Sequence, residues 1–191
     1  MSLVDRVKGI LLTPAAEWRV IDGEPATVGG LYTGYIIPLA AIGPIAQAVG
    51  YSAFGVSFLG TSYRTPIGSA ITGAIVTFAL TLVGVYLLAL VIDALAPTFD
   101  GARNQIQAIK VAAYASTASW LAGVFALLPG LRVLTILGLY SLYLLYLGLP
   151  VLMKAPAEKA LGYTVVVVLA AIVLFMLVGL VAGTFVSPVI G

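Results

Sequence analysis

The sequence contains no cysteine and no histidine. Without cysteine there is no disulfide framework and no thiolate ligand or nucleophile. Without histidine the commonest general base, metal ligand and physiological pH switch are gone together. Charge is scarce as well: 8% of residues are charged, where a soluble globular chain carries roughly 25%. The net charge of +2 is spread along the chain, with no basic stripe, so nucleic acid is not expected as a partner. No HExxH, GxSxG, P-loop or paired intramembrane aspartate occurs. The few carboxylates fall near the ends of apolar segments or in the first 27 residues. The chain therefore reads as non-enzymatic, with no catalytic residue, cofactor or metal expected.

Apolar sequence is abundant. Hydrophobic residues make up 62% of the chain, and the mean hydropathy is +1.16. Charge is absent from 25–63, 65–92, 111–131, 133–153 and 160–191. A membrane-crossing helix needs roughly 20 mostly apolar residues, and each window can hold one. The expected fold is an all-α integral membrane protein. Five transmembrane helices, at about 28–49, 66–92, 104–127, 132–152 and 160–185, form one domain (28–191). Short amphipathic interfacial helices (1–27) precede them. Asp5, Arg6 and Lys8 interrupt the N-terminus too early for a signal peptide. With the N-terminus in the cytoplasm, Arg6, Lys8, Arg19, Arg103, Lys110, Lys154 and Lys159 lie inside. Only Arg64 and Arg132 lie outside. This satisfies the positive-inside rule and places the C-terminus outside.

In the head, Leu3, Val4, Val7, Ile10 and Leu11 share one helical face. Thr13-Pro14 restarts a helix, with Thr13 as N-cap and Pro14 at the first helical position. Glu17 suits the early turns, and Trp18 is placed as a headgroup-level anchor. The pair is expected on the membrane surface or packed on the protein's own loops. Pro38, Gly43 and Pro44 break the first span. Gln47 is its lone amide, placed either to repair freed carbonyls or to line a cavity.

Three further features could bear function. Asp93, Asp100, Arg103 and Lys110, with Asn104, Gln105 and Gln107 between them, form the polar centre of the chain. Intramembrane charges usually pair, and an Asp93–Lys110 pair fits the spacing. The cluster is either a lock between spans two and three or a site for a lipid headgroup, ion or partner. Ala115, Ser119 and Gly123 recur every fourth residue, and Gly179 and Gly183 do so in the last span. Such faces allow close helix packing, within the chain or in a homo-oligomer. Finally, Tyr140, Tyr143 and Tyr146 recur every third residue in GLYSLYLLYLGLP. A hydroxyl in hydrocarbon needs a partner. Tyr140 and Tyr143 are thus expected to hydrogen-bond neighbouring helices, and Tyr146 to sit at the interface.

Taken together, LLTPAAEWRVIDGEPATVGGLYTGYIIPLA, APTFDG, QAIKVAAYASTASWLAG, LPGLRVL and GLYSLYLLYLGLPVLMKAPAEKALGYTVVVV resemble the bacterial branch of the Yip (Ypt-interacting protein) family. The likeness runs from about 10 to 170. Where the family pattern places a proline before WLAG, this chain has Ala118 or Ser119. The resemblance implies a five-span fold with a cytosolic N-terminus. In eukaryotes the family acts in vesicle trafficking with Rab-type GTPases, through a long N-terminal segment that this short head does not match. The expected role is a membrane-organising, trafficking-type scaffold or adaptor in the bacterial inner membrane. Its expected partners are membrane lipids, a second copy of the chain or another membrane protein. The alternative is a small transporter or channel with a polar path near Gln47, Asp93 and Lys110.

Overall fold

The structure, a computed structural model, describes residues 2–58 and 61–185. It is helical throughout apart from a short antiparallel hairpin, Val56–Phe58 with Thr61–Tyr63, in which Val56 pairs with Tyr63. The head folds as two antiparallel helices, α1 (Leu3–Leu12) and α2 (Pro14–Gly23). Ser2 caps α1, its hydroxyl accepting from the Asp5 amide and donating to the Asp5 carboxylate. Thr13 does not cap α2 as expected. Its hydroxyl and amide both donate back to the Gly9 carbonyl, so it closes α1 instead.

Among the described residues, four helical stretches are long and apolar enough to cross a membrane: α3 (Val28–Phe54), α4 (Ile67–Phe99), a later stretch Pro129–Leu152 and a last one Ala157–Leu177. Each overlaps one of the charge-free windows of the sequence. Between α4 and the Pro129–Leu152 stretch, the third expected span is segmented. It comprises α5 (Gln105–Ala115), α6 (Thr117–Ala122) and a tight 3-10 turn, Gly123–Leu127. The break at Ser116 has a local cause. The Ser116 hydroxyl bonds the Ala112 carbonyl and the Thr117 hydroxyl bonds the Tyr114 carbonyl, a back-bonding that bends helices. The segment still runs from one end of the bundle to the other, since Gln107 bonds Asp22 while Ala126 lies against Gly50.

The first long helix carries a π-type turn at Tyr32–Ile36 just before Pro38, and a second at Gly50–Phe54. The freed backbone is accommodated locally, as a broken intramembrane helix requires. The stretch Pro129–Leu152, here α7, is tightly wound over Pro129–Leu139 and α-helical from Tyr140 onward. The last helix is α8 (Ala160–Phe185).

Polar ends of the elements gather into two groups. Arg132 lies over the Tyr51 ring and donates to the Gly55 carbonyl. At the other end Asp22, Glu24, Gln107, Lys110 and Lys154 come together, and nearby Lys159 pairs with Asp100. The buried core between them is built from Ile36, Leu39, Ile92, Ile109, Val111, Leu144, Leu149 and Tyr163. It is closed at the head end by Ile10, Trp18 and Ile21, each fully buried.

Candidate functional site: a polar lock at the head

The helices α1 and α2 do not lie loose on the bundle. Their apolar faces turn inward, and their charges meet charges from α5 and the end of α7. Arg6, only 5% exposed, donates to the carboxylates of Glu17, 7% exposed, and Glu24. Its guanidinium also stands 5.6 Å over the Tyr114 ring of α5. Burial works against its charge. The Glu24 hydrogen bond and the charges of Glu24 and Glu17 outweigh that and hold Arg6 above its ordinary pKa. Gly9 makes room for this pair: a Cβ there would stand 2.5 Å from the Glu17 carboxyl.

Lys110, 3% exposed, reaches from α5 to the end of α2. Its ammonium donates to the Ile21 carbonyl at 2.8 Å and the Glu24 carbonyl at 2.6 Å. These carbonyls belong to the last turn of α2 and the residue after it, where a helix leaves acceptors unsatisfied and favours a cation. One turn earlier, the Gln107 amide donates to both the carbonyl and carboxylate of Asp22, each at 3.1 Å. Lys154 completes the site, pairing with the other Asp22 oxygen at 2.5 Å. The cations Arg6, Lys110 and Lys154 face the anions Glu17, Glu24 and Asp22. The cluster is charge-balanced within itself.

This arrangement corrects the Asp93–Lys110 pair expected from spacing. The expectation placed nothing between spans two and three at that end, whereas α2 lies against α5 and takes the lysine. Asp93 instead lies near Tyr163, whose hydroxyl bonds the neighbouring Ile92 carbonyl. One carboxylate oxygen of Asp93 is buried without a hydrogen-bond partner among the described residues. Asp100 pairs with Lys159. Arg103 is exposed and makes no ion pair among the described residues.

Trp18 is likewise not a headgroup anchor. It is fully buried, edge-on to Tyr114 at 6.3 Å, and set into the surface of α7 at Gly148. A Cβ on Gly148 would stand 2.6 Å from the indole. The close approach is available only because α7 has glycine there.

Gln47 does not repair the broken backbone of α3. Its amide donates to the Tyr51 hydroxyl one turn on, at 3.3 Å. It lines a small cavity of about 230 Å³ with Thr77, Thr81, Ser119 and Trp120. Thr81 and Asp93 are separated on one continuous helix by about 18 Å of rise. Gln47, Asp93 and Lys110 therefore occupy three separate places.

The small residues of α5, α6 and the following turn meet neighbouring elements, although Ser119 is exposed and Gly123 half-buried. Ala115 is buried. The Ser119 hydroxyl donates to the Gly138 carbonyl at 3.0 Å and lies 2.9 Å from that of Ser141. Gly123 crosses Gly43 of the first span, and a Cβ on it would meet the Gly43 Cα at 2.8 Å. Gly179 faces open space, while the surroundings of Gly183 lie outside the described residues. The Tyr140 hydroxyl donates to the Leu11 carbonyl of α1 at 3.1 Å. Tyr143 makes no hydrogen bond among the described residues and is 48% exposed, its ring tilted beside that of Tyr140. Tyr146 is exposed too.

The residues missed by sequence reasoning are Arg6, Glu17, Asp22, Glu24 and Lys154. Their signal was present but ambiguous. Arg6 and Glu17 are among several charges on two amphipathic helices, with Asp5, Lys8, Arg19 and Asp22, which suits a solvated face as well as a buried pair.

Residues 8–179 match the family model described as Yip1 domain. The chain is 27% identical over 166 residues to the "Inner membrane protein YohC" of Escherichia coli strain K12, covering 84% of this chain and 85% of that protein. The protein of the same name in Escherichia coli O6:H1 matches with the same figures. No solved structure matches this chain.

Proposed function

This chain belongs to the Yip1 domain family, and from that premise we propose that it is a non-enzymatic scaffold or adaptor of the bacterial inner membrane. In this reading the chain crosses five times, with the segmented third span counted, its N-terminus in the cytoplasm and its C-terminus outside. Its partners are membrane lipids and other membrane proteins, a second copy of the chain among them through the face of α8 that carries Gly179. The observation that carries the reading is the charge-balanced lock. Lys110 and Lys154 are used to hold α2 on the bundle, and Arg6 to tie α1 to α2. None is left directed at a substrate. The separate positions of Gln47, Asp93 and Lys110 favour it further over a polar path.

A transport reading draws on one specific feature, the unpartnered buried oxygen of Asp93. Flux assays on purified protein in liposomes decide between the two. The scaffold reading expects no ion or small-solute flux above that of empty liposomes, and no difference on Asp93→Asn. Robust flux abolished by Asp93→Asn would overturn it. Orientation is tested separately by reporters fused after residue 191. Activity restricted to the cytoplasm would overturn the five-crossing arrangement.

A further inference from the structure

We propose that α1 and α2 form a re-entrant hairpin that stands upright in one leaflet, its tip among the acyl chains, rather than a helix pair lying on the membrane surface. The register against α7 carries this. Leu11, just before the tip, is tied to Tyr140, Trp18 in the middle of α2 abuts Gly148, and Asp22 at its end pairs with Lys154. As α2 advances, its partners advance along α7 in the same direction, so the two helices run side by side. Tyr140 to Leu152 is a single α-helix in a stretch long and apolar enough to cross the membrane. Its twelve steps rise about 18 Å, well over half of a hydrocarbon core of about 30 Å. Whatever is fastened to Tyr140 is therefore far from the surface that Lys154 marks.

The hairpin is built for that depth. Each arm has 10 residues, about 15 Å of helix, which is one leaflet of hydrocarbon. The tip, GILLTPAA (9–16), carries no charge. Leu12 at its apex is 77% exposed, a costly display in water and a neutral one in lipid. Hydrocarbon demands satisfied backbone groups, and the tip meets part of that demand. The Thr13 amide and hydroxyl both donate to the Gly9 carbonyl. Pro14 has no amide to satisfy. The Thr13 carbonyl accepts from Ala16 and Glu17, and the Leu11 carbonyl accepts from Tyr140. The Arg6–Glu17 pair is buried between the arms and the bundle, a geometry that intramembrane charges favour. The exposed Lys8 and Arg19 lie about 6–8 Å of helical rise from the tip. Their stems are long enough to carry the charges back toward the headgroups. The occupant of the exposed hairpin face is thus the acyl chains of the leaflet that Lys154 faces.

The absence of cysteine makes the test direct. Val4, Lys8 and Leu12 are all exposed on one side of α1, so replacing them leaves the buried face intact. Full-length Val4→Cys, Lys8→Cys and Leu12→Cys variants would each carry a nitroxide, in nanodiscs of phosphatidylcholine and phosphatidylglycerol. Collision rates with oxygen, which partitions into lipid, and with a water-soluble nickel chelate would be compared. The upright hairpin gives an oxygen-to-nickel ratio that rises steadily from position 4 to position 12, several-fold overall. A level profile, as from a helix lying flat, or nickel access at position 12 equal to that at position 4, would overturn the proposal. A Tyr140→Phe background supplies a second measurement. The position-12 ratio then falls if the tip is held at depth by that hydroxyl, whereas an unchanged ratio alongside a level profile confirms a surface location.

Discussion

Lys110 and Glu24 are 86 positions apart in sequence, yet the lysine ammonium lies 2.6 Å from the glutamate's carbonyl oxygen. The contact is to the backbone and not to the carboxylate, which is engaged by Arg6. One side chain thus closes a helix terminus from outside the helix. Lys110→Met should remove both charge-assisted bonds and leave the Ile21 and Glu24 carbonyls with a buried apolar neighbour. A loss of about 2–3 kcal/mol is expected. It should appear as a lower thermal midpoint in detergent and faster proteolysis within residues 20–27.

Arg6 and Glu17 form a buried pair whose partners cannot be removed singly without cost. Arg6→Met leaves the Glu17 carboxylate buried without its cation, and a destabilisation of about 3–5 kcal/mol is expected. The double variant Arg6→Met with Glu17→Leu should recover part of it, because no uncompensated charge is then buried. Thermal unfolding of the two single variants and the double variant measures the coupling. Additive losses would contradict the pairing.

Gly123 and Gly43 meet at a helix crossing that is not symmetric. A Cβ on Gly123 would lie 2.8 Å from the Gly43 Cα, whereas one on Gly43 would stand 3.8 Å from the Gly123 Cα. Gly123→Ala should therefore force the crossing apart at a cost of about 1–3 kcal/mol. Gly43→Ala should be tolerated. Comparing their thermal midpoints checks the direction of the asymmetry.

Tyr140 and Tyr143 are neighbours in the same stripe with different surroundings. Tyr140→Phe strips the Leu11 carbonyl of its donor and should cost about 1 kcal/mol. Tyr143→Phe should change stability little, as that hydroxyl has no partner among the described residues.

Gly148 offers the clearest single steric test. Gly148→Leu places side-chain atoms where the Trp18 indole lies and should displace the indole from α7. Trp18 is one of two tryptophans, so a Trp120→Phe background isolates its emission. A red shift on Gly148→Leu is the expected result.

The spans were legible because the hydrocarbon core leaves a one-dimensional record. Charge is excluded over runs of about 20 residues, and such runs need no knowledge of neighbours. The third expected span, which is not one of the four long apolar helices among the described residues, shows where that record stops. Its charge-free window is intact, but Ser116 and Thr117 bend the backbone through local bonds that hydropathy does not register. The lock was legible only in part. Lys110 and Gln107 stood out as polar residues beside a span. Their true partners, Ile21, Asp22 and Glu24, are more than 80 positions away, and helical spacing cannot reach across that separation. Asp93 was the nearer candidate in sequence, which is why the expected pair was the wrong one. Trp18 misled for a related reason. Its type suits an interface, and only the absent side chain at Gly148 reveals that it is buried.

The head's dependence on distant residues sets an order of assembly. The hairpin is synthesised before every element of the bundle that it docks on. Its fastenings come late: Gln107 lies 85 positions after Asp22, Tyr140 129 after Leu11, and Lys154 132 after Asp22. Until the Pro129–Leu152 stretch has been inserted, α1 and α2 have only the contacts of the third expected span to dock on and lack those of Tyr140, Gly148 and Lys154. The head therefore waits for partners made long after it. A truncated chain that stops before Lys154 would lack the pair that fastens Asp22, and its head would be held less firmly than in the full chain.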